Sequence, residues 1–126
     1  MTLPPDRGSD PTLWLSAARE HLVATEAGVN PLRVRCFHGQ RSVELAVKAV
    51  LIFHNIEFPK VHTLERLIAM LPEETVAGVP EVGALTPYAV EEMYPDTFTE
   101  LTDDHADAAV EVARSVVAWA SSIIDT

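Results

Sequence analysis

The residues best placed to do chemistry are Gln40, Glu44 and Lys48, within "FHGQRSVELAVKAV" at positions 37–50. Spaced four apart, they form a line along one side of a helix. Glu44 precedes Lys48, the favourable order for a helical ion pair. Exposed to water, such a pair contributes only about 0.3–0.5 kcal/mol. On an open edge the line is an ordinary solvated face. Facing a cleft or a second subunit, it is a polar network in which Lys48 and an arginine, with Arg41 close by in sequence, hold a phosphate. His62 is a further candidate, since it opens the next helix after Pro59, Lys60 and Val61. An imidazole there either bonds backbone groups at the helix start or touches a ligand directly.

Other chemistries find little support. Histidines 21, 38, 54, 62 and 105 have no metal-ligand spacing, and Glu91 and Glu92 lack a Glu-x-x-His companion. No metal or cofactor is expected. The five glycines are scattered, so there is no phosphate-cradling loop, and no local pattern suggests a Ser-His-Asp site. The one cysteine, Cys36, excludes an intramolecular disulfide and reads as a small core residue.

Charge is unevenly distributed. The formal net charge is −10, which argues against a general nucleic-acid binder. Yet residues 28–66 hold Arg33, Arg35, Arg41, Lys48, Lys60 and Arg66 against Glu44, Glu57 and Glu65, a net +3. Residues 67–113 hold eleven acids and no Lys or Arg. Such asymmetry either aims a field at an anion or a partner, or is simply a solvated acidic face.

These residues must be positioned by helices. Asp10 and Pro11 fit the start of a first helix over 11–26, with Trp14, Leu15, Ala18 and Leu22 on one face. A second helix runs from about Leu32 to His54; its apolar residues cover more than one stripe, which predicts a central helix. Asn55 and Pro59 fit its end. A third starts at His62 or Thr63 and runs to Leu71, stopped by Pro72. Residues 72–80 read as a loop, and 81–93 as a fourth helix interrupted at Pro87. A fifth opens at Thr102 or Asp103 and runs to about Ile124, with acids in its first turn suiting the helix dipole. No segment alternates like a strand. The expected fold class is all-α, a four- to five-helix bundle with mostly antiparallel neighbours. Residues 1–11 read as a flexible lead-in and 12–126 as a single domain. No apolar run reaches the roughly 18 residues that span a bilayer, and the N-terminus lacks a signal pattern. The expected location is cytoplasmic.

The ordered set Gln40, Glu44, Lys48, Pro59, His62 and Leu64 in "FHGQRSVELAVKAVLIFHNIEFPKVHTLERLI" resembles the signature of the HEPN domain (higher eukaryotes and prokaryotes nucleotide-binding). "YAVEEMYPD", with Tyr94 and Pro95, is similar to the family's segment ending in Arg-Tyr-Pro, and the closing amphipathic helix also fits. The resemblance covers about residues 12–124 and implies an up-and-down helical bundle that commonly forms a homodimer. It also implies membership among RNA-cutting toxins, often neutralised by a small nucleotidyltransferase, or among inactive nucleotide or RNA binders. The ribonuclease members carry Arg, a short spacer and His late in the bundle, and two such motifs meet across the dimer. Here Met93 stands where Arg precedes Tyr-Pro, and the next histidine is His105. Arg33 and His38 match Arg, four residues, His, but sit at the start of the second helix. Five residues of helix also set them roughly 140° apart.

Three functions are therefore expected, in this order. The first is a nucleotide- or partner-binding module: a homodimer that works with a nucleotide, RNA or a nucleotidyltransferase-type protein in a toxin–antitoxin-type system. The second is a metal-independent ribonuclease toxin with Arg33 and His38 as its catalytic pair. The third is a helical scaffold with no small-molecule ligand. In the first, the ligand or interface residues are Gln40, Arg41, Glu44, Lys48, His62 and Tyr94.

Overall fold

The computed structural model describes residues 10–88 and 101–125. Among them there is no strand. Helix α1 spans Pro11–Glu26, α2 Leu32–Phe53, α3 Leu64–Ile68, α4 Glu73–Val76 and α5 Asp103–Ile124; a 3-10 helix covers Gly83–Tyr88. The fold is all-α. No described helix is long and apolar enough to cross a membrane.

The helix boundaries follow local chemistry. Asp10 accepts a hydrogen bond from the Thr12 amide at 2.9 Å, and Pro11 fills the first helical position. α2 ends in a Schellman turn. Asn55 adopts φ 59°, a left-handed conformation asparagine tolerates, while its amide bonds the Ile52 carbonyl and that of Ile56 bonds Leu51. At α5 the Thr102 amide donates to His105 Nδ1 at 3.0 Å, and Asp103 and Asp104 occupy the first turn.

Between α2 and α5 the elements are shorter than their patterns predict. α3 stops at Ile68, and the chain tightens into 3-10-type turns, Met70 to Leu67 and Leu71 to Ile68. Pro72 disfavours the α conformation at Leu71, which accounts for this tightening. Residues 72–80, expected as a loop, contain α4, started by Pro72 with Glu73 and Glu74 in its first turn. One turn of helix shows no period, so the pattern could not reveal it. The expected fourth helix is a 3-10 helix as far as Tyr88; its remainder lies outside the described residues, as do Met93, Tyr94 and the lead-in up to residue 9.

α2 is central, packing on both α1 and α5, which also meet each other. The Thr25 hydroxyl donates to the Arg35 carbonyl, and Arg35 Nε returns a bond to the Thr25 carbonyl at 2.9 Å. At the opposite end of α2, Trp14 meets Phe58 edge-on, their ring centroids 6.1 Å apart. These two contacts make α1 and α2 antiparallel. Glu26 pairs with Arg114 and Arg19 with Asp125, which makes α1 and α5 antiparallel too. α2 and α5 therefore run parallel, as the third pair of three mutually packed helices must. At their crossing Gly39 lets the backbones approach: a Cβ there would lie 3.1 Å from Ala109 Cβ. Cys36 is fully buried in the core that these helices share.

Candidate functional site

The polar line on α2 is internal. Gln40 and Glu44 are 0% exposed and Lys48 6%. Glu44 is the hub. Its Oε2 accepts from Lys48 Nζ at 2.8 Å, Arg41 Nη1 at 3.0 Å and His62 Nδ1 at 3.0 Å. An ionised carboxylate only accepts, so the His62 Nδ1 carries the proton. Burial works to raise the Glu44 pKa. The Lys48 hydrogen bond and charge, the His62 hydrogen bond and the Arg41 charge together outweigh it and hold the group below its ordinary 4.5. Glu44 is therefore a carboxylate at neutral pH.

The α2–α3 connection is clamped onto this line. Gln40 Nε2 donates to the His62 carbonyl at 3.1 Å while the His62 ring binds Glu44, so one residue is gripped from both sides. Phe58 lies under Lys48, its ring centroid 5.5 Å from Nζ. Both contacts turn polar heads inward, although their residues sit on a helix that must bury Val, Ala and Leu. Gln40 Oε1 and Glu44 Oε1 are buried and accept no hydrogen bond among the described residues. The outer rim consists of Arg41 and His62, whose side chains are 28% and 32% exposed.

Gln40, Arg41, Glu44, Lys48 and His62 thus meet in one cluster. Among the described residues the His62 ring contacts the Glu44 carboxylate and not a backbone group, and its backbone carbonyl accepts from the Gln40 side chain. Arg33 is exposed in the first turn of α2. His38 is half-buried and faces α1, where its Nδ1 lies 2.8 Å from His21 Nδ1 and the two rings stack with centroids 5.0 Å apart. Burial lowers both imidazole pKa values; for His21 the nearby His38 and Arg41 charges add to this. His21 escaped the sequence reading because its partner lies seventeen residues away on another helix. The available signal was a histidine on the half-buried side of α1, beside Ala18, Leu22 and Thr25. Among the described residues no group of three or more His, Cys, Asp or Glu could hold a metal.

A family model for the HEPN domain matches residues 13–123. The chain belongs to the HEPN-domain family. No curated protein and no solved structure matches it. The matched span takes in α2, the Glu44 cluster and nearly all of α5.

Proposed function

We propose that this HEPN domain is a binding module rather than a nuclease: a cytoplasmic homodimer that holds a nucleotide and pairs with a nucleotidyltransferase-type protein in a toxin–antitoxin-type system. The observation that supports binding is the Glu44 cluster. Its donors are fixed by a buried carboxylate, so Arg41 and His62 form a rigid rim. Arg41 gives one of its five N–H groups to Glu44 and has others for a phosphate. Lys48 is turned away from that rim toward Glu44 and Phe58, so its role is to set the carboxylate.

Metal-independent RNA cleavage needs an imidazole positioned to move a proton at the scissile phosphate. His38 is engaged with His21, and helical geometry turns Arg33 away from it. The nuclease reading therefore has less support than the binding reading.

The test is calorimetric titration of the purified protein with ATP, GTP and AMP, alongside Arg41→Glu and the double variant Arg33→Glu/Arg41→Glu. Nucleotide binding lost on charge reversal supports the proposal; binding unchanged in the double variant sinks it. Incubation with RNA in a chelator tests the rival reading, since cleavage abolished by both His38→Ala and Arg33→Ala would establish a ribonuclease. Sedimentation measures the dimer.

A further inference from the structure

Away from the Glu44 cluster, α3 and the chain that leaves α4 enclose an open groove of about 520 Å³. One wall is α3. Glu65, Ile68 and Ala69 line it, and their spacing of three and four residues puts them on one side of the helix. Leu64 and Leu67 of the same helix are buried in the core, which anchors this wall. The other wall is the segment from Val76 to Val82. Its own hydrogen bonds hold it. The Val79 amide donates to the Val76 carbonyl at 3.2 Å, and the Gly83 amide to Glu81 Oε1 at 3.2 Å.

The floor is apolar. Val82 is buried, and Ile68, Val76 and Val79 are half-buried. Glu65 and Glu81 are exposed, so each wall carries one carboxylate at its rim. A carboxylate has room for more than one donor. The nearest cation in sequence, Arg66, lies about 100° round α3 from Glu65 and does not line the groove. Glu73 and Glu74 are exposed at the start of α4, whose last residue lines the groove. Residues 67–113 hold eleven acids and no Lys or Arg, so the field here is negative.

That combination selects an occupant. A nucleic acid is repelled by the field, and a lone cation leaves the apolar floor uncovered. A peptide segment with an apolar side chain between two basic ones satisfies the floor and both carboxylates. Residues 89–100 of this chain bring four acids and no Lys or Arg, so they lack the cations required. A second copy brings a further net charge of −10. Three of its cations, Arg35, Arg41 and Lys48, are already hydrogen-bonded to Thr25 and Glu44.

We propose that this groove docks a basic segment of a different protein. An apolar side chain of that segment rests on Ile68, Val79 and Val82. Flanking Lys or Arg residues reach Glu65 on one wall and Glu81 on the other. The proposal goes beyond the proposed function, because it needs neither a nucleotide nor a nucleotidyltransferase-type partner.

The probe is a fluorescein-labelled peptide, Gly-Arg-Leu-Leu-Arg-Gly, titrated with the full chain by fluorescence polarisation. Control peptides replace both arginines by glutamate or both leucines by serine, and each should bind more weakly by about tenfold or more. The double variant Glu65→Gln/Glu81→Gln keeps the shape of the rim. It should weaken binding by about two- to thirtyfold, the range for two exposed ion pairs, and remove most of the salt dependence. Ala69→Arg puts bulk and a like charge in the groove and should abolish binding. Glu65, Ala69 and Glu81 are exposed, so the thermal midpoint of each variant should match the wild type. Amide NMR shifts confined to residues 65–83 should locate the peptide. No binding of the arginine peptide, or equal binding by wild type and both variants, overturns the proposal. Sedimentation in which the wild type self-associates and Ala69→Arg does not would give the groove to a second copy and overturn it too. Peptide binding without nucleotide binding would defeat the nucleotide reading and leave this site standing.

Discussion

Replacing Glu44 by alanine distinguishes a buried hub from a solvated edge. Were Glu44 exposed, its pair with Lys48 would contribute about 0.3–0.5 kcal/mol and its loss would be barely measurable. The structure places Glu44 at 0% exposure and Lys48 at 6%. Arg41 and His62 lie at the rim and can turn to water when the carboxylate goes. Lys48 cannot, because it is held against Phe58 beneath the α2–α3 connection. Leaving one buried charge without its partner costs about 3–5 kcal/mol, and removing the buried Cγ methylene adds about 0.8 kcal/mol. A loss of about 4–6 kcal/mol follows, from a total near 5–15 kcal/mol for a domain of this kind. Urea denaturation at pH 7 and fixed protomer concentration measures it through the shift in midpoint at constant m. Glu44→Gln should fall between the wild type and Glu44→Ala. Lys48→Met should cost less than Glu44→Ala, since Glu44 keeps Arg41 and His62. The double variant Glu44→Leu/Lys48→Met should recover much of the loss, because a well-packed apolar pair replaces buried charges with little cost. A Glu44→Ala loss under about 1 kcal/mol would refute the argument from burial.

Acid should act through the same group. Glu44 titrates below its ordinary 4.5 in the folded chain, so its stabilisation is complete above that value and is lost as pH falls through the folded pKa. Urea midpoints between about pH 5 and pH 3 should show this fall, and Glu44→Gln should remove its share of it. The imidazole pair has the same sign at higher pH. Both histidines titrate below the ordinary 6.5 when folded, so the unfolded chain binds more protons and stability declines as pH drops below about 6.5; His21→Gln with His38→Gln should flatten that decline. Gly39→Val should destabilise by about 1–3 kcal/mol through overpacking against Ala109 and Thr25, read by thermal unfolding. Ser42→Ala removes the buried hydrogen bond from its hydroxyl to the Ala18 carbonyl, 2.8 Å long, and should cost about 1 kcal/mol in the same assay.

What the sequence made legible was whatever carries a period or a local cap. α1, α2 and α5 each run for four turns or more, so their apolar faces repeat often enough to be read, and Asp10, Asn55 and Thr102 mark ends with chemistry confined to a few residues. α4 is too short to repeat. The early stop of α3 depends on what Pro72 does to the residue before it. The line Gln40–Glu44–Lys48 was visible as a line, but its burial was not. Helical spacing gives the direction of a side chain around one axis and says nothing about what lies opposite. Here Phe58 and His62 lie opposite, eighteen residues on in the case of Glu44 and His62. The same limit hid the His21–His38 contact, which joins two helices.

The two histidine contacts also show why spacing within α2 was a poor guide to the partners of His38. A motif of Arg, four residues and His works as a pair only if the backbone brings both side chains to one place. A continuous α-helix sets positions five apart roughly 140° from one another, so Arg33 and His38 are led to different neighbours by the regularity that makes α2 a good core helix. His38 and Arg41, three apart, are led to the same side. That side faces α1, and α1 presents His21 there because Ala18 and Thr25, three before and four after it, are buried against α2. The placement of the imidazole pair is thus a consequence of the α1–α2 packing itself. Loosening that packing by Ser42→Ala should raise the imidazole pKa values of the folded protein toward 6.5, whereas Gln40→Ala, at the clamp on His62, should leave them where they are. NMR titration of the His21 and His38 rings in the two variants separates these outcomes, and equal pKa changes in both would show that the pair is set by something other than the α1–α2 contact.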